Sequence, residues 1–169
     1  MKKIISPKLI SIGGTFVALT VLFHSAPVFL PGVGLFLSPF ATLPIALAAI
    51  ISVYLGITSL FASAFVLLLI SPQEAIILLI TTGPLGLALG INYSKGLVQA
   101  LTVSTCTLFL GINLLTFVIG IPAFGNMTSN FSMFTAVFVY LVFSLVYSGI
   151  WVLVLKSIVQ LLEKTKQIF

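Results

Sequence analysis

Long apolar blocks alternate along this chain with short polar or Pro/Gly-rich breaks. A membrane-spanning helix takes about 20 predominantly apolar residues, and the blocks have that scale. After a basic head at residues 1–8, a first helix is expected at about 9–24. Residues 25–38 hold Pro27, Pro31, Gly32 and Gly34, a density of breakers that predicts an irregular but apolar loop. A second helix follows at about 39–53, with Pro39 in its first turn. Gly56 marks a turn, and a third helix covers about 57–70. Ser71-Pro72-Gln73-Glu74 opens a fourth at about 72–91. Residues 92–96, Asn-Tyr-Ser-Lys-Gly, form the charged internal loop. A fifth helix is expected at about 97–119, a loop at 120–131, and a sixth helix at about 132–155, leading into a tail at 156–169.

The second and third helices are short, and one long tilted helix competes with them. The lysines decide between the two. With six spans, Lys2, Lys3 and Lys8, then Lys95, then Lys156, Lys164 and Lys166 all fall on one side. With five spans they divide across the membrane. The positive-inside rule selects six spans, with both termini cytoplasmic. Composition agrees. Charged residues make up 5% of the 169 and apolar residues 60%, whereas a soluble domain carries about a quarter charged. The expectation is an all-α, polytopic, single integral membrane domain in the inner (plasma) membrane of a bacterium.

The same composition narrows the chemistry. The chain has no Asp and no Arg, and its two acids, Glu74 and Glu163, fall on opposite membrane faces. They cannot form the carboxylate pair of a hydrolase. One histidine does not build a zinc site. A Cys106–His24 dyad is conceivable by composition, but the topology puts Cys106 near mid-membrane and His24 at an outer helix end. No P-loop motif is present. The chain is therefore expected to be no enzyme, with no catalytic residue, metal or cofactor. Nucleic acid is not an expected partner, because the scattered lysines serve topology.

Polar residues inside membrane helices face protein or a cavity. On the fifth helix Thr102, Thr105, Cys106, Phe109, Asn113 and Thr116 share one face at 3.6 residues per turn. On the sixth, Tyr140, Ser144, Tyr147, Ser148 and Trp151 do the same, and Phe138, Val139, Val142, Phe143 and Val146 form the lipid-facing back. Two readings stand: the stripes glue helices together, or they line one cavity opening outward. In the second reading Asn113, Tyr140, Tyr147, Trp151 and Thr105 contact a substrate. His24 is either an interfacial residue or a ligand contact beneath the 25–38 loop. Ser71-x-x-Glu74 with Pro72 matches a capping box, the alternative being a substrate-binding carboxylate. Gly83-Pro84 predicts a kink in the fourth helix. Gly86-x-x-x-Gly90 and Gly14-x-x-x-Ala18 permit close helix approach. Ser11, Gly14 and Ala18 on the first helix make the better candidate docking face for a partner.

With these features the chain resembles the substrate-binding S components of energy-coupling-factor vitamin transporters. The matching elements are Gly14-x-x-x-Ala18, the 25–38 segment and the stripes on helices five and six. Leu37-Ser38-Pro39 through Thr82-Gly83-Pro84-Leu85-Gly86-Leu87-Ala88-Leu89-Gly90 is also similar to the YybS-like family of bacterial membrane proteins. The resemblance implies six helices, a first loop that caps an outward-facing site, and docking of helix 1 on a transmembrane coupling subunit driven by ATPases. The partners so implied are a small-molecule substrate, membrane lipid, and that subunit with its ATPases. The scarcity of charge near the stripes suggests a largely neutral, flat nutrient such as a vitamin. The alternative reading is a non-transport polytopic scaffold or interaction protein.

Overall fold

The computed structural model describes residues 7–123 and 132–166. Six helices among them are long and apolar enough to cross a membrane: α1 Pro7–Phe29, α2 Val33–Ile51, α3 Val53–Ile70, α4 Pro72–Lys95, α5 Leu97–Ile119 and α6 Met133–Lys166. The count agrees with the reading of the lysines. Because the helices alternate in direction, the start of α1, the end of α4, the start of α5 and the end of α6 share one end of the bundle. Lys8, Lys95, Lys156 and Lys164 lie there. Most of the expected loop at 120–131, with residues 1–6 and 167–169, lies outside the described residues.

The segment expected to be a loop at 25–38 is instead mostly helical. α1 continues through Pro27 to Phe29, residues 30–32 make the turn, and α2 begins at Val33. Pro27 sits in the last turn of α1, where its missing N–H leaves few later residues to disturb. Gly32 turns the chain at φ +88°. Gly34 is packed so tightly on α1 that a Cβ there would lie 2.3 Å from the Ala26 carbonyl. Pro39 does not open a helix. It stands in a tight 3-10 turn, Ser38–Ala41, inside α2. With 19 residues, α2 is about 28 Å long, enough to span the hydrocarbon core.

The α2–α3 break falls at Ser52, which is extended (φ −162°, ψ 134°), and not at Gly56. Gly56 lies inside α3, where an added Cβ would meet Ala49 at 2.8 Å. Gly86 and Gly90 of α4 lie against Thr42, Ala46 and Ala49 of α2, so this small-residue pair is internal packing.

The pairs α1–α2, α4–α5, α2–α4, α3–α4, α5–α6, α2–α3 and α1–α3 carry most of the tertiary contacts. One buried cluster joins Ala46, Leu85, Leu89, Leu108, Ile112, Tyr140, Trp151 and Leu155. A second joins Ile45, Leu60, Ala64, Leu67 and Leu78. The outside is apolar: Phe61, Phe65, Leu69, Val98, Val118, Phe134 and Phe138 are exposed. In water such a surface would be an aggregation site; in lipid it is ordinary solvation.

At Gly83-Pro84, where a kink is expected, the structure shows a change of helical form. Pro84 has no N–H to give to the Ile80 carbonyl, and α4 answers with one π turn at Leu78–Thr82 before resuming as an α-helix. Gly111 of α5 then sits directly on that carbonyl, at 2.2 Å from where its Cβ would be. A second π segment, Leu114–Ile119, ends α5, and Gly120 closes it in the left-handed region at φ +82°.

Candidate functional site

A cavity of about 360 Å³ lies in the half of the bundle opposite the described lysines. It is at the lower end of the usual size of small-molecule sites, about 300–1,000 Å³. Pro27 of α1 and Leu35, Ser38 and Pro39 of α2 form one wall. Gln73, Glu74, Ile77, Thr81 and Thr82 of α4 form the second. Leu108, Ile112 and Leu115 of α5 and Phe143 and Tyr147 of α6 form the third. Ile121, Pro122 and Ala123 follow Gly120 over the same space.

The π turn falls within the α4 wall. In a regular α-helix, consecutive side chains diverge by about 100°. Here Thr81 and Thr82, at the end of the π turn, both contribute to the cavity lining. Thr81 Oγ1 donates back to the Ile77 carbonyl at 2.7 Å. Thr82 Oγ1 is buried and makes no hydrogen bond among the described residues. Thr82 stands ten positions into α4, so the cavity reaches about 15 Å down that helix.

Glu74 is positioned from both sides. Ser71 caps α4: its Oγ accepts from the Glu74 N–H at 3.5 Å, with Pro72 in the first turn. The reciprocal half of a capping box needs the Ser71 N–H. That group already donates to the Leu67 carbonyl of α3 at 2.7 Å. The Glu74 carboxylate is thus turned to the cavity and to His24, whose Nε2 lies 3.5 Å from Oε2.

His24 is fully buried among α1, α2 and α4. Its Nε2 is 3.1 Å from the Glu74 main-chain carbonyl, and its Nδ1 is 3.2 Å from Ser38 Oγ. A carbonyl oxygen only accepts, so Nε2 carries the hydrogen and donates. Nδ1 of the neutral ring then accepts from the Ser38 hydroxyl. His24 therefore stands behind two cavity residues and ties three helices together at this end.

An aromatic ladder leads away from the cavity. Phe143 stacks on Tyr147 at 5.4 Å, and Tyr147 meets Trp151 at 6.3 Å. Trp151 meets Phe40 edge-on at 5.8 Å, and Phe40 lies 6.1 Å from Phe23. Such offset and edge contacts hold rings rigidly. Phe143, expected on the lipid-facing back of α6, belongs to this wall instead.

The six residues expected to touch a substrate are not all brought together. Tyr147 lines the cavity, and His24 supports it through Ser38 and Glu74. Trp151 is one ring further in, within the apolar core. Tyr140 is completely buried beside Phe117, at 6.2 Å. The Asn113 amide donates to the Phe109 carbonyl of its own helix at 2.7 Å. Thr105 is buried, and with Ser104, Ser144 and Ser148 it makes no hydrogen bond among the described residues. These small hydroxyl residues sit on the buried faces of α5 and α6, which pack on each other. Thr102 and Cys106, placed on the same stripe by helical spacing, are exposed on α5. Cys106 and His24 sit in different surroundings and form no dyad.

Sequence reasoning favoured a cap for Glu74, with a substrate-binding carboxylate as the alternative, and did not single out Gln73, Ser38, Thr81 or Thr82 as lining a cavity. Gly83-Pro84 was the available signal for the threonines, because a proline kink redirects the turn before it. On α1, Ser11, Gly14 and Ala18 are exposed, and a Cβ on Gly14 would meet nothing within 4 Å. With Val17, Val21, Leu22, Ser25 and Val66 of α3, Gly14 and Ala18 line a shallow groove.

Comparison with family models, curated proteins and solved structures returns no match for this chain.

Proposed function

We propose that this chain is a membrane-embedded substrate-binding subunit. It captures a small nutrient from outside a bacterial inner membrane and passes it on through a partner energised by ATPases. The observation that carries the reading is the cavity of about 360 Å³ with its mixed lining. An apolar enclosure with a few convergent polar groups is what small-molecule recognition requires. In this reading both termini are cytoplasmic, because the lysine-bearing end faces inward. The cavity half then faces out. The resemblance to energy-coupling-factor S components supports the partner assignment. So does the uncovered face of Ser11, Gly14 and Ala18 on α1, where another helix backbone can approach closely.

The scaffold reading accounts for Thr105, Ser144 and Ser148 as seam residues. It gives no reason for the cavity or for a carboxylate turned into it. The test is purification of the tagged chain from its own membrane under gentle conditions. Co-purification of a transmembrane subunit together with ATPases is the expected result. A chain that repeatedly emerges without any ATPase, from cells growing on the nutrient-poor medium that induces uptake, counts against the reading.

A further inference from the structure

Glu74 is the one acid in this half of the bundle, since Glu163 lies at the lysine end of α6. Glu74 lines the cavity, and its side chain is 15% exposed. The described lysines stand at the other end of the helices. The nearest basic group, His24, is hidden, with both ring nitrogens engaged on Glu74 and Ser38. Any molecule entering the cavity therefore meets a carboxylate with no cation presented beside it. A carboxylate against apolar surface is costly unless something pairs with it. Its attraction for a positive charge is also several-fold stronger there than in water.

We infer that the cavity selects an aromatic organic cation: a small molecule with one protonated amine, or a comparable cationic donor, on a flat ring. The inference rests on the reading of the cavity as a binding site. It revises the expectation of a largely neutral ligand, which followed from the scarcity of charge near the stripes of α5 and α6. The ammonium group pairs with Glu74. The ring lies along the Phe143–Tyr147 stack, where face contact also favours a cation. An inorganic cation fits worse. Hard metal ions take about six or more oxygen ligands, and most of this lining is carbon. An anion would be placed against the carboxylate without a counter-charge.

Trp151 is the single tryptophan and sits 6.3 Å from Tyr147, so its fluorescence reports on the cavity. Three probes of nearly equal shape separate the possibilities: phenethylamine (cation), 2-phenylethanol (neutral) and 3-phenylpropionate (anion). Each is titrated into the purified full chain with excitation selective for Trp151. The expected result is binding of the amine at least tenfold tighter than the alcohol, and no response to the carboxylate. Glu74→Gln is expected to bring the amine's affinity down to that of the alcohol. Equal binding of amine and alcohol in the wild-type chain overturns the charge inference and leaves the binding-site reading intact. That comparison needs no variant, so a misfolded Glu74→Gln does not obscure it. No response to any probe up to millimolar concentration overturns both.

Discussion

Gly111→Ala adds one methyl group and is expected to be among the most damaging small changes in the chain. The new Cβ would stand 2.2 Å from the Ile80 carbonyl oxygen. A carbon in favourable contact with a carbonyl oxygen sits at about 3.3 Å or more. The gap of about 1 Å must come from separating α5 from α4 or from tilting the Ile80 peptide. Ile80 lies in the π turn that Pro84 imposes, so its carbonyl has no N–H at position 84 to hold it. A separation of that size forfeits about a quarter to a half of the dispersion well for each facing atom pair. The loss falls on Leu108, Ile112 and Leu115, which are buried on the same face. Overpacking of this kind costs about 1–3 kcal/mol, sometimes more, against a helix-propensity gain of about 1 kcal/mol for replacing glycine. A net loss of about 1 kcal/mol is expected, reaching about 2 if the helices cannot separate. The same substitution at Gly14, where nothing lies within 4 Å, supplies the propensity gain without the clash. Reversible unfolding by SDS titration, monitored by Trp151 fluorescence, compares the two. Gly111→Ala and Gly14→Ala variants of equal stability would refute the close α4–α5 approach and the cavity wall built on it.

Removing the ring in His24→Ala leaves the Ser38 hydroxyl and the Glu74 carbonyl without their partner. An orphaned buried polar group costs about 1–3 kcal/mol, which the same titration measures; a His24→Ala chain as stable as wild type would contradict a tie through this residue. His24→Gln keeps one donor and one acceptor and is expected to recover part of the loss. Topology is tested with single cysteines in a Cys106→Ser background, at exposed Pro31, Ser94 and Gln160. A membrane-impermeant maleimide on intact cells is expected to label Pro31→Cys alone. Labelling of Ser94→Cys and Gln160→Cys instead would reverse the orientation.

Helix number and order were legible because each span carries an apolar run of membrane length and the lysines obey one parity. The Ser71-Pro72 cap and the Pro84 distortion were legible too, since both follow from local backbone chemistry. What misled was glycine. Gly34 and Gly56 read as breakers, yet both are small because a neighbouring backbone lies where a side chain would be. Their reason is tertiary, and Ser52, the real break, carries no turn signal of its own. At the site, helical spacing correctly grouped Tyr140, Ser144, Tyr147, Ser148 and Trp151 on one face of α6. It could not say where that face meets a helix and where it meets a space. Of these five, only Tyr147 meets the space. For Glu74 the local cap was the favoured reading and a substrate-binding carboxylate the alternative, since spacing alone does not say where the side chain points. The direction of its carboxylate depends on the Leu67–Ser71 hydrogen bond, which comes from the end of α3.

The most direct measurement is native mass spectrometry of the chain released gently from its own membrane. A stoichiometric small-molecule adduct is expected on the wild-type chain. It should be lost in Tyr147→Ala, whose ring lines the cavity, and kept in Asn113→Ala, whose amide is spent on Phe109. A bare wild-type chain after purification from nutrient-replete cells, or an adduct indifferent to Tyr147, would contradict the assignment of this cavity as the binding site.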